Sequence, residues 1–130
     1  MATEPAISVV VATHNRAGLL PRLVAALEAQ EPCGPFEVVV VDDGSTDETF
    51  TVLEDLARVT PLDLVPVRMT RNGGPAAARN AGWQRARAPL VAFTDDDCTP
   101  QPGWLARLLD DLDRFDVVQG RTVPDPEQLL

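Results

Sequence analysis

Short apolar runs alternate along the chain with longer segments in which apolar residues recur at helical spacing. Ile7 to Ala12 (Ile-Ser-Val-Val-Val-Ala) is short, β-branched and nearly continuous, as expected for a strand covered on both faces. Leu19, Leu20, Leu23, Val24 and Leu27 then follow a helical repeat, with Pro21 tolerable only in a first turn and Asn15 placed to cap. Glu31-Pro32-Cys33-Gly34-Pro35 breaks that helix. A second strand is predicted over Phe36 to Val41, and Asp42-Asp43-Gly44-Ser45 is the turn after it. Ser45 and Glu48 have the spacing of a capping box for a helix running to about Arg58, with Phe50, Leu53 and Leu56 as its apolar stripe.

Leu62 to Met69 predicts a third strand, and Pro66 within it indicates an edge position. Arg71-Asn72-Gly73-Gly74 reads as a turn, and Pro75 opens a helix over Ala76 to about Ala86. That helix is rich in Ala and Gly, so another backbone or a ligand is expected to pack closely against it. Leu90 to Thr94 is the fourth strand and runs into Asp95-Asp96-Asp97. Pro102 and Gly103 precede a helix carrying Trp104, Leu105, Leu108, Leu109 and Leu112, and Val117 to Val123 is predicted as a last strand.

Strands alternating with helices give a Rossmann-like, doubly wound, mainly parallel α/β sheet, read as a single domain over residues 1–130. Ligands of such sheets bind beyond the carboxyl ends of the strands, where the strand order reverses. Three polar clusters fall at that edge: Thr13-His14-Asn15-Arg16, Asp42-Asp43-Gly44-Ser45 and Asp95-Asp96-Asp97. Neither the dinucleotide glycine fingerprint nor a P-loop follows the first strand, so no glycine-rich phosphate cradle is expected.

Composition narrows the function. Of 130 residues 45% are apolar and 24% charged, which excludes wholesale disorder and supports one core. No apolar run approaches the roughly 20 residues that cross a bilayer, and no signal-peptide pattern opens the chain, so a cytoplasmic setting is expected. Cys33 and Cys98 lack the spacing of a zinc cluster or a disulfide framework, in keeping with a reducing compartment. Acids outnumber bases 20 to 11 for a net charge of −9, a field that repels nucleic acid. Every base is Arg; the chain has no Lys.

Three carboxylates held together at a strand end repel one another, and a divalent cation removes that cost. Mg²⁺ or Mn²⁺ is held by one or two carboxylates and completes its shell with phosphate oxygens and water. Asp95-Asp96-Asp97 therefore reads as a metal site, against the blander possibility of an acidic solvated turn. Asp42 or Asp43 would serve the following helix as a cap, and the second carboxylate is free to accept from a base N–H or a ribose hydroxyl. Arg71 and Arg79 flank the Gly73-Gly74 turn, where a diphosphate would find guanidinium groups and backbone donors; surface ion pairs with the neighbouring acids are the alternative. The lone His14 is either a direct participant or a structural contact.

The motifs together resemble family 2 glycosyltransferases of the GT-A fold. Val10-Val11-Ala12-Thr13-His14-Asn15-Arg16 and Val41-Asp42-Asp43-Gly44-Ser45-Thr46-Asp47 look like the family's opening signatures. The run from Arg71 to Gly82 matches its N-x-G-x-x-x-A-R-N-x-G segment, and Phe93-Thr94-Asp95-Asp96-Asp97 matches its D-x-D site. Four motifs in order cover residues 7–123. The resemblance implies an inverting, metal-dependent transfer of a sugar from a UDP- or GDP-type donor to an unknown sugar, lipid or protein acceptor. By position, Thr13, His14 and Arg16 would line the nucleotide pocket, Asp43 with Asp42 beside it would contact the base, and Arg71 would reach the base or the diphosphate. Asp95 and Asp97 would hold Mn²⁺ or Mg²⁺, with Asp97 in direct contact, and Asp96 would lie near the ribose.

The sequence departs from the family in its second half. Residues 98–130 supply one helix and a strand, whereas the family continues into an acceptor site and the carboxylate that deprotonates the acceptor. Asp110, Asp111, Asp113 and Asp116 fall on what should be a solvated face, and none is a convincing general base. The chain is therefore expected to be the donor-binding half, truncated before the acceptor half, and to self-associate through the surface left uncovered. A non-catalytic nucleotide-sugar-binding module or subunit is the alternative. Asp95-x-Asp97-x-Thr99 also fits a haloacid-dehalogenase-type phosphatase, and receiver domains likewise gather Asp at strand ends. Both need a Lys, and the phosphatase needs its motif on the first strand.

Overall fold

In the computed structural model, described over residues 4–120, four strands form one parallel sheet in the order β3-β2-β1-β4. The strands are β1 (Ile7–Thr13), β2 (Phe36–Asp42), β3 (Asp63–Arg68) and β4 (Leu90–Phe93). Between them run helices α1 (Leu20–Glu28), α2 (Thr49–Val59) and α3 (Pro75–Arg85), and α4 (Trp104–Leu112) follows β4. The chain builds outward from β1 through β2 to β3, then returns to place β4 on the other side of β1. The order thus reverses between β1 and β4, and that crevice is where the topology puts a ligand. Pro66 does lie on an edge strand, where its missing N–H is harmless.

Period-two alternation sorts the strand residues to two faces. Ile7, Val9, Val11, Val38, Val40 and Leu64 pack with Leu20, Leu23, Leu27, Leu53, Leu105 and Leu108 of α1, α2 and α4 in the larger core. Val10, Val39 and Val41 face the other way, against Ala78 of α3. Gly82 explains the glycine- and alanine-rich composition of that helix. A Cβ there would stand 2.4 Å from Val10 Cγ1, so α3 lies on the sheet at a distance only glycine permits. The close neighbour anticipated from the sequence is the sheet itself.

Both helix starts differ from the capping patterns. Asn15 adopts a left-handed backbone (φ 51°) and does not cap α1; its Oδ1 accepts from the Thr46 N–H at 2.9 Å, tying two loops. A short 3₁₀ turn, Ala17–Leu19, leads into α1 instead. The Ser45–Glu48 capping box does not form, because Ser45 Oγ is taken by the Asn15 N–H at 2.9 Å. Glu48 takes the cap position with no side-chain cap bond, and Asp47 before it steadies the start of α2, its Oδ1 accepting from both the N–H and the hydroxyl of Thr49. Those bonds, the side-chain one foremost, hold the Asp47 carboxyl below the usual carboxylate range. No strand forms over 117–120, where Val117 is exposed and finds no partner among the described residues; 121–123 lie outside them.

At the amino ends of the strands Glu37 is buried beside β1 and neutralised by Arg87 Nε at 2.9 Å, with Asp63 on the same guanidinium. At the other side of the molecule α4 is tied to the end of α1. Gln30 donates from Nε2 to the Gln101 carbonyl and accepts the Leu105 N–H at Oε1, and the Glu31 N–H donates to the Pro102 carbonyl. This lashing fixes the segment that follows the acidic turn, whose other end is held to β1 by the Thr94 N–H on the Val10 carbonyl.

Candidate functional site

The reversal of strand order opens a cleft of about 370 Å³ lined by the ends of β1 and β4, the turn after β2 and the start of α3. Thr13, His14 and Arg16 come from the first cluster, Asp43 from the second, Asp95, Asp96 and Asp97 from the third, and Arg79 from α3. Residues far apart in sequence meet here because parallel register aligns the strand ends: Thr13 stands opposite Asp42, and Thr94 donates its N–H to the Val10 carbonyl.

Asp96 is the fixed point of the acidic turn. It is buried, and Thr13 Oγ1 donates to its Oδ2 at 2.8 Å while Arg16 donates to its Oδ1 at 3.0 Å. Its flanking carboxylates stand out toward solvent, Asp95 60% and Asp97 55% exposed, on the rim of the cleft. Arg79 donates to Asp95 at 3.2 Å, and Arg16 lies 3.8 Å from Asp97. Both ion pairs are half solvated and hold little energy, so they are easily exchanged for a ligand.

Asp43 is also buried, and it is a clamp. Its Oδ1 accepts the Gly73 N–H at 2.8 Å and its Oδ2 the Gly74 N–H at 2.9 Å, pinning the turn before α3. Gly44 makes this approach possible: at φ 68° a Cβ would sit 2.5 Å from the Asn72 backbone nitrogen. His14 completes the join. Its Nδ1–H donates to the Asp43 carbonyl at 2.9 Å, which leaves Nε2 to accept from the side-chain amides of Asn15 and Asn72 at 3.3 and 3.2 Å.

Two of the sequence-picked residues do not line the cleft. Asp42 is completely buried below it; its Oδ1 accepts the Ser45 N–H at 3.0 Å, and its Oδ2 finds no hydrogen-bond partner among the described residues. Arg71 is exposed on the turn that crosses Gly44. Conversely, Cys98 joins the acidic turn. It, Asp95 and Asp97 can each bring one donor atom within 4.8 Å of the others, a spacing one divalent ion can bridge. Its place immediately after the D-x-D was the available signal, which paired cysteine spacing does not reveal. The Gly73 and Gly74 N–H donors, expected to face a diphosphate, are instead taken by Asp43, and the Asn72 amide was not anticipated as part of the join.

The family model for glycosyl transferase family 2 matches residues 8–128. The chain belongs to glycosyltransferase family 2. It is 37% identical over 112 residues to the hyaluronan synthase of Pasteurella multocida, covering 82% of this chain and 11% of that protein. With the validoxylamine A glucosyltransferase of Streptomyces hygroscopicus subsp. jinggangensis it shares 39% identity over 109 residues, 81% of this chain and 25% of that protein. The crystal structure of S. aureus TarS 1-349 in complex with UDP superposes with a TM-score of 0.75 at 32% identity, over 92% of this chain and 38% of the other. The mannosyltransferase PcManGT from Pyrobaculum calidifontis, in complex with GDP-Man and Mn²⁺, gives 0.67 at 35% identity, over 73% and 28%. The parallel sheet with its flanking helices is thus the GT-A type expected of a family 2 member, and it spans less than two fifths of each of these proteins.

Proposed function

We propose that this family 2 domain binds a nucleotide-diphospho-sugar together with Mn²⁺ or Mg²⁺, as the donor-binding part of an inverting glycosyltransferase. The observation that carries the reading is the acidic turn at the strand-order reversal, whose two exposed carboxylates are faced by Arg16 and Arg79 in half-solvated, exchangeable pairs. UDP and GDP-Man complexes of two relatives support a nucleotide-sugar donor, and the Mn²⁺ of one supports a divalent ion.

The donor set suits such an ion: two exposed carboxylates on one rim supply hard oxygen ligands, and the open side leaves room for phosphate oxygens and water. Asp95 and Asp97 would hold it, and when bound it would offset the charge developing on the leaving diphosphate. Arg16 and Arg79 would exchange their solvated partners Asp97 and Asp95 for the diphosphate, Arg16 keeping its bond to Asp96. Thr13 and Asp96 orient that rim, and His14 and Asp43 form the wall where a base would lie, with Asp42 bracing it from below. Arg71, exposed beside this wall, is positioned on the turn from which it would reach the base or the diphosphate.

All four carboxylates lining the cleft are already paired, and Asp110, Asp111, Asp113 and Asp116 are not among its lining. A base for the acceptor hydroxyl is therefore expected from outside residues 4–120, and these residues bind donor without efficient transfer. Calorimetric titration with UDP, GDP and dTDP, each with Mn²⁺ and again with EDTA, tests this. Metal-dependent binding of one nucleotide, abolished in Asp97→Ala, is expected. Failure of all three to bind a folded sample would refute the donor site, and robust sugar transfer by the chain alone would refute the division of labour.

A further inference from the structure

Cys98 has no part in the donor chemistry just described, yet it stands inside the proposed metal centre. Its thiol belongs with the Asp95 and Asp97 carboxylates to a group whose donor atoms converge within 4.8 Å, and no other such group of three occurs among the described residues. The Cys98 N–H donates to the Asp95 carbonyl at 3.1 Å, closing the turn on which these three donors converge. The half-buried thiol donates to Asp97 Oδ1 at 3.9 Å. That is a weak contact for a thiol and no obstacle to a stronger one.

Resting on the metal reading above, we propose that Cys98 is a third protein ligand of this centre and tilts its preference from Mg²⁺ toward thiophilic divalent ions. Mg²⁺ demands oxygen ligands in near-ideal octahedral geometry and gains little from sulfur. Softer ions such as Co²⁺, Zn²⁺ and Cd²⁺ take thiolate readily, so one sulfur among two carboxylates separates the two classes. In the binding step the S–H bond breaks, a metal–sulfur bond forms, and the proton passes to solvent with no change of oxidation state. Cys98 thereby acts on which ion occupies the site, separately from the carboxylates that make it a site.

The test uses the whole chain with UDP present. Cd²⁺ is followed by its ultraviolet thiolate-to-metal charge-transfer band, and bound Mn²⁺ by loss of the free-ion electron paramagnetic resonance signal. One equivalent of Cd²⁺ should produce the band in the parent and in Cys33→Ser, whose thiol lies before β2. Cys98→Ser should lose the band and bind Cd²⁺ at least ~10-fold more weakly, the scale on which even outer-shell changes are felt, while still binding Mn²⁺. Cys98→Asp, which restores a hard donor, should bind Mg²⁺ more tightly than the parent, read by competition against Mn²⁺. Circular dichroism of each variant confirms folding independently of metal. If Cd²⁺ displaces Mn²⁺ without a Cys98-dependent band, the thiol is no ligand and the carboxylate centre stands without it. If neither ion binds, the metal reading falls and this inference falls with it.

Discussion

Asp43 does at the residue scale what no single contact of the cleft does alone: it joins the turn after β2 to the turn before α3 through two backbone N–H groups. A hydrogen bond to a charged group contributes about 1.5–3 kcal/mol, more than a neutral one, and here the acceptor is buried. Asp43→Asn keeps the shape but turns an amide NH₂ toward one of those donors. It is expected to lower unfolding stability by about 1.5–3 kcal/mol in urea titration. Amide exchange at Gly73 and Gly74 should quicken beyond the global change. Unchanged protection at those two amides would show that the clamp is not what holds the turn. Thr13 plays the parallel role for Asp96, so the cleft is shaped by carboxylates that are held before any ligand arrives.

Among the elements, α3 carries the tightest constraint. Its Ala78 packs on the Val10, Val39 and Val41 face, and Gly82 lets it approach until Val10 Cγ1 occupies the place of a side chain. Gly82→Ala should lift the helix from the sheet and destabilise the fold by about 1–3 kcal/mol, as overpacking does. Val10→Ala, made in the same chain, should recover part of that loss by vacating the contested space. Denaturant midpoints of the four members of this cycle measure the coupling directly. Strict additivity would mean that the two groups do not contend. Because α3 also delivers Arg79 to the cleft, the single variant should weaken nucleotide binding together with stability.

At the scale of the molecule, β4 has one neighbour, β1, and its other edge meets no strand among the described residues. Phe93 on that strand and Trp83 on α3 are each 51% exposed. An open strand edge carrying an exposed aromatic invites pairing with another chain, and the net charge of −9 opposes it. Self-association is therefore expected to be weak at low salt and to strengthen as salt screens the repulsion. Sedimentation velocity over a concentration series at two ionic strengths checks this; one monomeric boundary throughout would count against it.

Periodicity alone determined the alternating strands and helices, because burial on a sheet or under a helix imposes repeats of two and 3.6 on any sequence that folds this way. The edge placement of β3 was legible in Pro66, whose lack of an N–H is a local property. The family was legible too, since four motifs in order preserve the strand-end residues. Helix starts were not. Asn15 and Ser45 are competent caps in isolation, but each is claimed by the other's loop, and that competition exists only once β1 and β2 lie in register. Tertiary structure likewise separated Asp42 from Asp43, adjacent in sequence and alike in chemistry. Consecutive residues leaving a strand point to opposite sides, so one is buried beneath the cleft and the other joins its wall. It also brought Cys98 to the acidic rim, where a turn closed by one backbone hydrogen bond decides which side chains converge.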